Sequence, residues 1–183
     1  MRRAIGFCIL VLAAGWARAQ VAAPPGALLG APDRLQATVP SVMVPAGERL
    51  VLQAEGRGFQ VYRCDKHLDG AEWTFVAPDA KLFVKGVEAG SHAAGPVWRS
   101  RDGSAVWGEV LAQAPSPNPD SIPQLLLKAL RTEGGGVFAN VNYIQRMETE
   151  GGNAPADGCD AGHVGAERRV PYSAQYLFYA AQQ

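Results

Sequence analysis

Residues 49–64 read RLVLQAEGRGFQVYRC and carry the clearest strand pattern of the chain. Apolar and polar residues alternate through Phe59, Gln60 and Val61, and strand-forming side chains flank the Gly56-Arg57-Gly58 segment. This pattern predicts two β-strands joined by a glycine turn. Further strand candidates recur along the chain, at residues 72–76, 81–84, 105–112, 136–146 and 171–180.

Turn-forming residues separate these strand candidates. They are Ala77-Pro78-Asp79, Gly95-Pro96 and Asp102-Gly103. Short connections of this kind predict a meandering antiparallel sheet, because parallel strands need long crossover connections.

One short helix is predicted within this strand pattern. Asp120-Ser121-Ile122-Pro123 offers a cap and an early proline, residues 124–131 (QLLLKALR) are good helix formers, and Gly134-Gly135-Gly136 would end the helix. The leucines of this segment share one face that would pack against the sheet. For residues 40–183 we therefore predict a mainly β fold: an antiparallel sandwich or barrel-like single domain with one short packed helix.

The N-terminal residues 1–19 have the three-part order of a secretory signal peptide. Two arginines precede the uncharged segment 4–15, and Ala17-Arg18-Ala19 places small residues before a cleavage position. The apolar segment is shorter than the ~20 residues that a membrane-spanning helix needs. Residues 20–39, rich in Ala, Pro and Gly, predict a flexible lead-in. We therefore expect a periplasmic or secreted protein with no transmembrane segment after cleavage.

Cleavage would remove Cys8 and leave two cysteines, Cys64 and Cys159. An isolated cysteine pair in an oxidising compartment most simply forms a disulfide. Two free thiols or a metal site are the alternatives, although no Cys-x-x-Cys spacing points to a metal. The sequence therefore predicts that Cys64 is bonded to Cys159.

The composition excludes some functions and selects none. The chain holds 17 Lys and Arg against 17 Asp and Glu, with no long basic run. It therefore lacks the electrostatic pattern of a nucleic-acid-binding protein. Its apolar fraction of 48% is ordinary for a globular protein, which argues against wholesale disorder. We expect no cofactor.

The segment around His92 contains the residue types of a hydrolase triad. His92 would act as the base, Ser104 as the nucleophile and Asp102 as the group that orients the base. Ser104 lacks the G-x-S-x-G elbow, however, and Asp102-Gly103-Ser104 equally suits a β-turn that leads into a strand. The alternative is a structural His92, hydrogen-bonded beneath the Gly95-Pro96 turn, and we expect no catalytic residue.

The best candidates for metal ligands lie in two polar segments near the cysteines. Asp65 and His67 follow Cys64, and Asp160 and His163 follow Cys159. A disulfide would bring these segments together. No H-x-H, H-E-x-x-H or EF-hand spacing is present, so we expect no metal site.

Aromatic and amide side chains are the candidates for a ligand-binding surface. Gln60 and Tyr143 lie in strand candidates, and Trp98 follows His92 across the Gly95-Pro96 turn. These groups would suit the polar and aromatic mouth of a barrel. They equally suit the core and the solvent-facing side of an antiparallel sheet.

Several motifs occur in order over about residues 40–179. They include GFQVYRC (58–64), APDAKL (77–82), HAAGPVW (92–98), YIQR (143–146), GGNAP (151–155) and PYSAQYLFY (171–179). In these motifs the chain resembles a family of exported bacterial and fungal proteins that is known only as a domain of unknown function. The resemblance implies export and a domain of this extent, and it supplies no catalytic residue.

Two features of this chain depart from the family pattern. Some fungal relatives carry a malate dehydrogenase label, but this chain has no G-x-G-x-x-G between a strand and a helix. Gln124 stands where many members are expected to carry an aromatic residue, so a groove lined by that position would differ here.

The sequence as a whole favours an exported β-domain that is not an enzyme. Its expected ligand is a small molecule, a glycan or a protein of the cell envelope, and we expect no nucleic acid partner. The alternative is an envelope hydrolase or lyase that uses His92 with Asp102 or Ser104.

Overall fold

The computed structural model describes residues 42–182. The predicted signal peptide, residues 1–19, and lead-in, residues 20–39, lie outside the described residues. The described part of the chain contains eight β-strands. They are β1 (Glu48–His67), β2 (Gly70–Val84), β3 (Val87–Ala93), β4 (Val97–Ser100), β5 (Ala105–Ala114), β6 (Gln124–Glu133), β7 (Tyr143–Gly151) and β8 (Glu167–Ala181).

The strands form one closed antiparallel barrel. Each strand pairs with the next in the chain, and β8 pairs with β1 over most of its length to close the ring. The predicted meander is therefore confirmed, and the sheet closes into a barrel rather than a sandwich. Closure removes the open sheet edges that would otherwise expose unpaired backbone groups. An eight-stranded barrel has an interior just wide enough for packed side chains or one small ligand.

The predicted hairpin at Gly56-Arg57-Gly58 is wrong, because β1 continues straight through this segment. Gly58 is required for a different reason. A Cβ atom on Gly58 would lie 2.2 Å from the carbonyl oxygen of Asp79 and 2.5 Å from the Cα of Ala80. The glycine therefore permits close approach of β1 to β2 rather than a turn.

The predicted break at Ala77-Pro78-Asp79 is likewise absent. These residues lie inside β2, where Pro78 pairs with Gln60 and the register shifts between Val61 and Tyr62. Such an irregularity in the ladder is where a sheet tolerates proline, which has no N–H to donate. The Gly95-Pro96 and Asp102-Gly103 turns do join neighbouring strands, as predicted.

The predicted helix is also wrong, because residues 124–133 form strand β6 between β5 and β7. Leu126 and Leu127 are buried, whereas Leu130 is exposed. Helix propensities differ by less than about 0.7 kcal/mol between ordinary residues, so they are easily overridden. Pairing with two neighbouring strands satisfies the hydrogen-bonding groups of the β6 backbone and completes the ring.

The next strand, predicted over residues 136–146, begins only at Tyr143, because residues 134–142 form the preceding connection.

Aromatic side chains fill much of the barrel interior. The largest fully buried ones are Trp98, Phe138, Tyr176 and Phe178. The Phe178 ring centroid lies 4.7 Å from that of Phe138 and 6.0 Å from that of Trp98. In β8 the alternating residues from Tyr172 to Ala180 point inward, which is the period of a strand with one buried face.

Cys64 and Cys159 form a disulfide, as the sequence predicts. Their Cα atoms are 5.4 Å apart, within the usual range for such a bond. Cys64 is completely buried and lies within β1 rather than in a loop, whereas Cys159 belongs to the long connection between β7 and β8. The bond therefore ties this connection to the barrel wall.

No helix among residues 42–182 is both long enough and apolar enough to cross a membrane.

Candidate functional site

A cavity of about 320 Å³ lies inside the barrel, at the end where β3 turns into β4. We call it the barrel cavity. Each of the eight strands contributes at least one lining residue. The polar lining side chains are those of Gln60, His92, Arg146 and Tyr176, and the apolar wall includes Phe75, Val76, Pro78, Val110 and Leu125. A mainly apolar concavity with a few convergent polar groups is the usual form of a small-molecule site.

His92 is held rigidly on one side of the cavity. Only 4% of its surface is exposed, and its ring stacks on Trp98 with centroids 4.3 Å apart. Its Nδ1 atom lies 3.0 Å from the carbonyl oxygen of Val97. Since a carbonyl only accepts hydrogen bonds, Nδ1 carries the proton of the neutral ring and Nε2 is left as an acceptor.

Burial keeps the His92 ring neutral at physiological pH. The pKa of His92 falls to about 4, chiefly because burial removes its hydration. The hydrogen bond to Val97 opposes this decrease, and the positive charge of Arg146 adds to it. His92 therefore contributes no charge to the cavity lining.

Two buried hydrogen-bond donors of the cavity lining have no partner in the structure. They are Nε2 of Gln60, whose residue is 2% exposed, and Nε1 of Trp98, whose residue is 1% exposed. Buried polar groups are nearly always hydrogen-bonded, and an unpaired one costs about 1–3 kcal/mol. Both residues line the cavity, so a bound molecule would supply the missing acceptors once these side chains shift toward it.

Arg146 brings a positive charge to the cavity. Its Nε and Nη2 atoms donate to the carbonyl oxygen of Pro123, at 3.1 and 2.8 Å. None of the ion pairs found among the described residues involves this guanidinium. Its charge nevertheless acts on the ionisation of several neighbours, including His92 and Tyr176.

Two tyrosines complete the polar interior. The hydroxyl groups of Tyr172 and Tyr176 lie 3.2 Å apart. Burial raises the pKa of Tyr172 and of Tyr176 well above the ordinary value, so both phenols are neutral. They act as hydrogen-bonding groups rather than as bases.

Three of the four residues predicted for binding line the barrel cavity: Gln60, His92 and Trp98. The fourth, Tyr143, does not line the cavity. Tyr143 lies at the start of β7 and pairs with Tyr179 and Lys128.

Sequence reasoning overlooked Arg146 as a residue of the cavity lining. The signal was present, because strand alternation places Arg146 on the same face as Ile144, which is completely buried.

Ser104 and Asp102 are engaged with each other rather than with His92. The Ser104 hydroxyl donates to Asp102 Oδ1 at 2.7 Å and accepts the N–H of Phe138 at 3.2 Å. Asp102 Oδ2 accepts the N–H of Val137 at 2.8 Å. The bonds that Asp102 accepts, above all that from the Ser104 hydroxyl, lower its pKa well below the usual value. The bonds to Val137 and Phe138 anchor the connection between β6 and β7. Among the described residues, no hydrogen bond joins His92 to Asp102 or Ser104.

The four candidate metal ligands take part in separate ion pairs. Asp65 pairs with Arg63 at 2.7 Å, and His163 pairs with Asp160 at 2.8 Å. His67 lies 3.4 Å from Glu72 on the other side of the β1–β2 turn. Within residues 42–182, no group of three or more His, Cys, Asp or Glu side chains converges on a point where a metal ion would sit.

We predict that the stability of the protein falls between pH 6.5 and pH 4 because His92 is buried. The unfolded chain takes up a proton near pH 6.5, whereas the folded protein resists it down to about pH 4. Stability therefore decreases as the pH falls through this window, by about 2 kcal/mol at pH 5 relative to pH 7.5. Urea unfolding at both pH values measures the difference.

The matched comparison for this prediction uses two variants. In His92→Phe, which keeps a ring against Trp98, the share of the pH dependence due to His92 should disappear. In His67→Gln, which changes a histidine outside the cavity, it should persist. An equal pH dependence in wild type and His92→Phe would contradict the prediction.

Comparison with known proteins yields a family match. The model of one family, described as "Protein of unknown function (DUF3455)", matches residues 45–91 and 84–180, which together cover nearly the whole barrel. No curated protein and no solved structure was found to match. The resemblance drawn from the sequence motifs is confirmed, and nothing supports the malate dehydrogenase label. The chain belongs to the DUF3455 family.

Proposed function

We propose that this protein is an exported binding protein that takes up a small, mainly apolar molecule in the barrel cavity. The observation that carries the proposal is the pair of unpartnered donors, Gln60 Nε2 and Trp98 Nε1, on residues that line an apolar cavity. Leaving both unpaired is costly. A bound molecule with acceptor atoms, toward which these side chains shift, would recover that cost, and the apolar wall would contribute through burial of the ligand.

The size of the cavity favours a small molecule over a glycan chain or a protein partner. Ligand pockets usually have volumes of about 300–1,000 Å³, so about 320 Å³ is at the lower end. Export is supported by the disulfide, because such bonds persist mainly in oxidising compartments.

The proposal is of binding rather than of catalysis. In the described residues the hydroxyl of Ser104 is committed to Asp102 and Phe138, so no observation favours the alternative of a hydrolase or lyase. His92 is neutral and is fixed by Val97 and Trp98, which suits a recognition role.

Blocking the cavity tests the proposal. Ala94 is exposed in the β3–β4 turn and lines the cavity, so Ala94→Trp should fill its mouth at little cost in stability. Titration with neutral apolar probes (benzyl alcohol, indole and benzamide), followed by NMR, should shift the Trp98 indole N–H in the wild type. In Ala94→Trp the shift should be lost.

The matched control is Ala93→Trp. Ala93 is the exposed neighbour of Ala94 but does not line the cavity, so this variant should bind the probes like the wild type. The proposal would fail if no probe shifted the Trp98 signal, or if Ala94→Trp and Ala93→Trp bound the probes equally.

A further inference from the structure

The barrel cavity has an unbalanced charge. Among the described residues that line it, Arg146 is the only charged side chain, and none is Asp or Glu. His92 adds no charge, because the ring is neutral, and the phenol of Tyr176 is neutral as well. The interior of the binding site is therefore positive, and a positive cavity favours an anionic ligand.

The hydrogen-bonding groups of Arg146 also suit an anion. A guanidinium has five N–H groups, and Pro123 accepts from only two of them. Arg146 also lies close enough to Tyr176 to oppose the rise that burial causes in the pKa of that phenol. A hydrogen bond to the Tyr176 hydroxyl uses at most one more N–H group of the guanidinium. The guanidinium therefore keeps donors for a ligand, and no carboxylate of the described residues forms an ion pair with it.

The unpartnered groups on two other lining residues are donors too. Gln60 Nε2 and Trp98 Nε1 both need acceptors, and an ionised carboxylate only accepts. A phosphate would fit less well, because it carries more negative charge and is met here by a single arginine in an apolar setting.

The volume limits the remainder of the ligand. An apolar cavity of about 150 Å³ is enough to bind benzene, so about 320 Å³ holds one ring with a short substituent. Phe75, Pro78 and Leu125 supply the apolar wall for such a ring.

Building on the proposed function, we infer that the ligand is a small aromatic monocarboxylate. In this arrangement its carboxylate accepts hydrogen bonds from Arg146, and its ring lies against the apolar wall of the barrel cavity.

Three probes of nearly equal shape test the inference by calorimetry: benzoate, neutral benzamide and cationic benzamidine. We expect the wild type to bind benzoate about tenfold or more tightly than benzamide, because charge-assisted hydrogen bonds are about twice as strong as neutral ones. Benzamidine should not bind measurably.

Arg146→Gln tests the role of the arginine. It should weaken benzoate binding to the level of benzamide and leave benzamide binding nearly unchanged. Arg57→Gln is the matched control, since Arg57 lies on the outside of β1 and pairs with Glu55 there, and it should bind all three probes like the wild type. If Arg146→Gln does not fold, the comparison of the three probes in the wild type still tests whether the cavity prefers a carboxylate.

The outcomes separate this inference from the proposed function. Equal binding of benzoate and benzamide, with both abolished by Ala94→Trp, would overturn the carboxylate preference and leave the binding function intact. Binding of none of the probes would overturn both. Tighter binding of benzoate that persists in Arg146→Gln would overturn the role of the arginine and with it the inference.

Discussion

Replacing both cysteines, as Cys64→Ala with Cys159→Ala, should lower the free energy of unfolding by about 4 kcal/mol, because the disulfide closes a long loop. The two residues are 95 positions apart, and the bond excludes the many extended conformations that the unfolded chain would otherwise adopt. Urea unfolding of the double variant, compared with the wild type, measures the loss.

Wild-type protein unfolded in the presence of a reductant provides the control, since it loses the cross-link without any change of side chain. Its unfolding midpoint should fall close to that of the double variant. The prediction would be contradicted by a double variant as stable as the oxidised wild type, or by reduction that leaves the midpoint unchanged.

Gly58→Ala should destabilise the protein by about 3 kcal/mol or more, an unusually large effect for the addition of one methyl group. The added carbon would lie 2.2 Å from a backbone oxygen of β2 and 2.8 Å from the Cβ of Ala80. A backbone atom cannot rotate away as a long side chain does. Strands β1 and β2 would therefore have to separate locally, at the cost of ladder hydrogen bonds.

Gly135→Ala is the matched control. A Cβ atom on Gly135 meets no atom within 4 Å, so this variant should unfold within about 0.5 kcal/mol of the wild type. Thermal and urea unfolding of both variants test the contrast. Equal stability of Gly58→Ala and Gly135→Ala would mean that the two strands do not approach each other as closely as described.

Glycine and proline did not reliably predict where the strands of this chain end. Gly58 and Pro78 predicted a turn and a break, yet both lie within long strands. A turn, a bulge and a close strand contact can all require the same residue type, and local sequence does not distinguish them. Gly95 and Gly103, by contrast, do lie in turns, where their φ angles of +97° and +88° favour glycine.

The candidate site was predicted in part. Gln60, His92 and Trp98 were singled out from residue type and strand position, and all three line the barrel cavity. Arg146 was overlooked, because an arginine in a strand usually faces solvent. Its access to the interior depends on the closure of β7 against β6 and β8 and on the carbonyl of Pro123, which is 23 positions away in the chain.

The sequence by itself determined the strand-rich class, the antiparallel meander and the cysteine pair. These follow from local alternation, short turns and residue counts, which do not depend on distant parts of the chain. Only the tertiary structure decided that the sheet closes, that QLLLKALR is a strand and that His92, Gln60 and Arg146 face one cavity. Those outcomes depend on pairing between residues far apart in sequence, such as β1 with β8, and the energy of that pairing exceeds the small local preferences that the sequence displays.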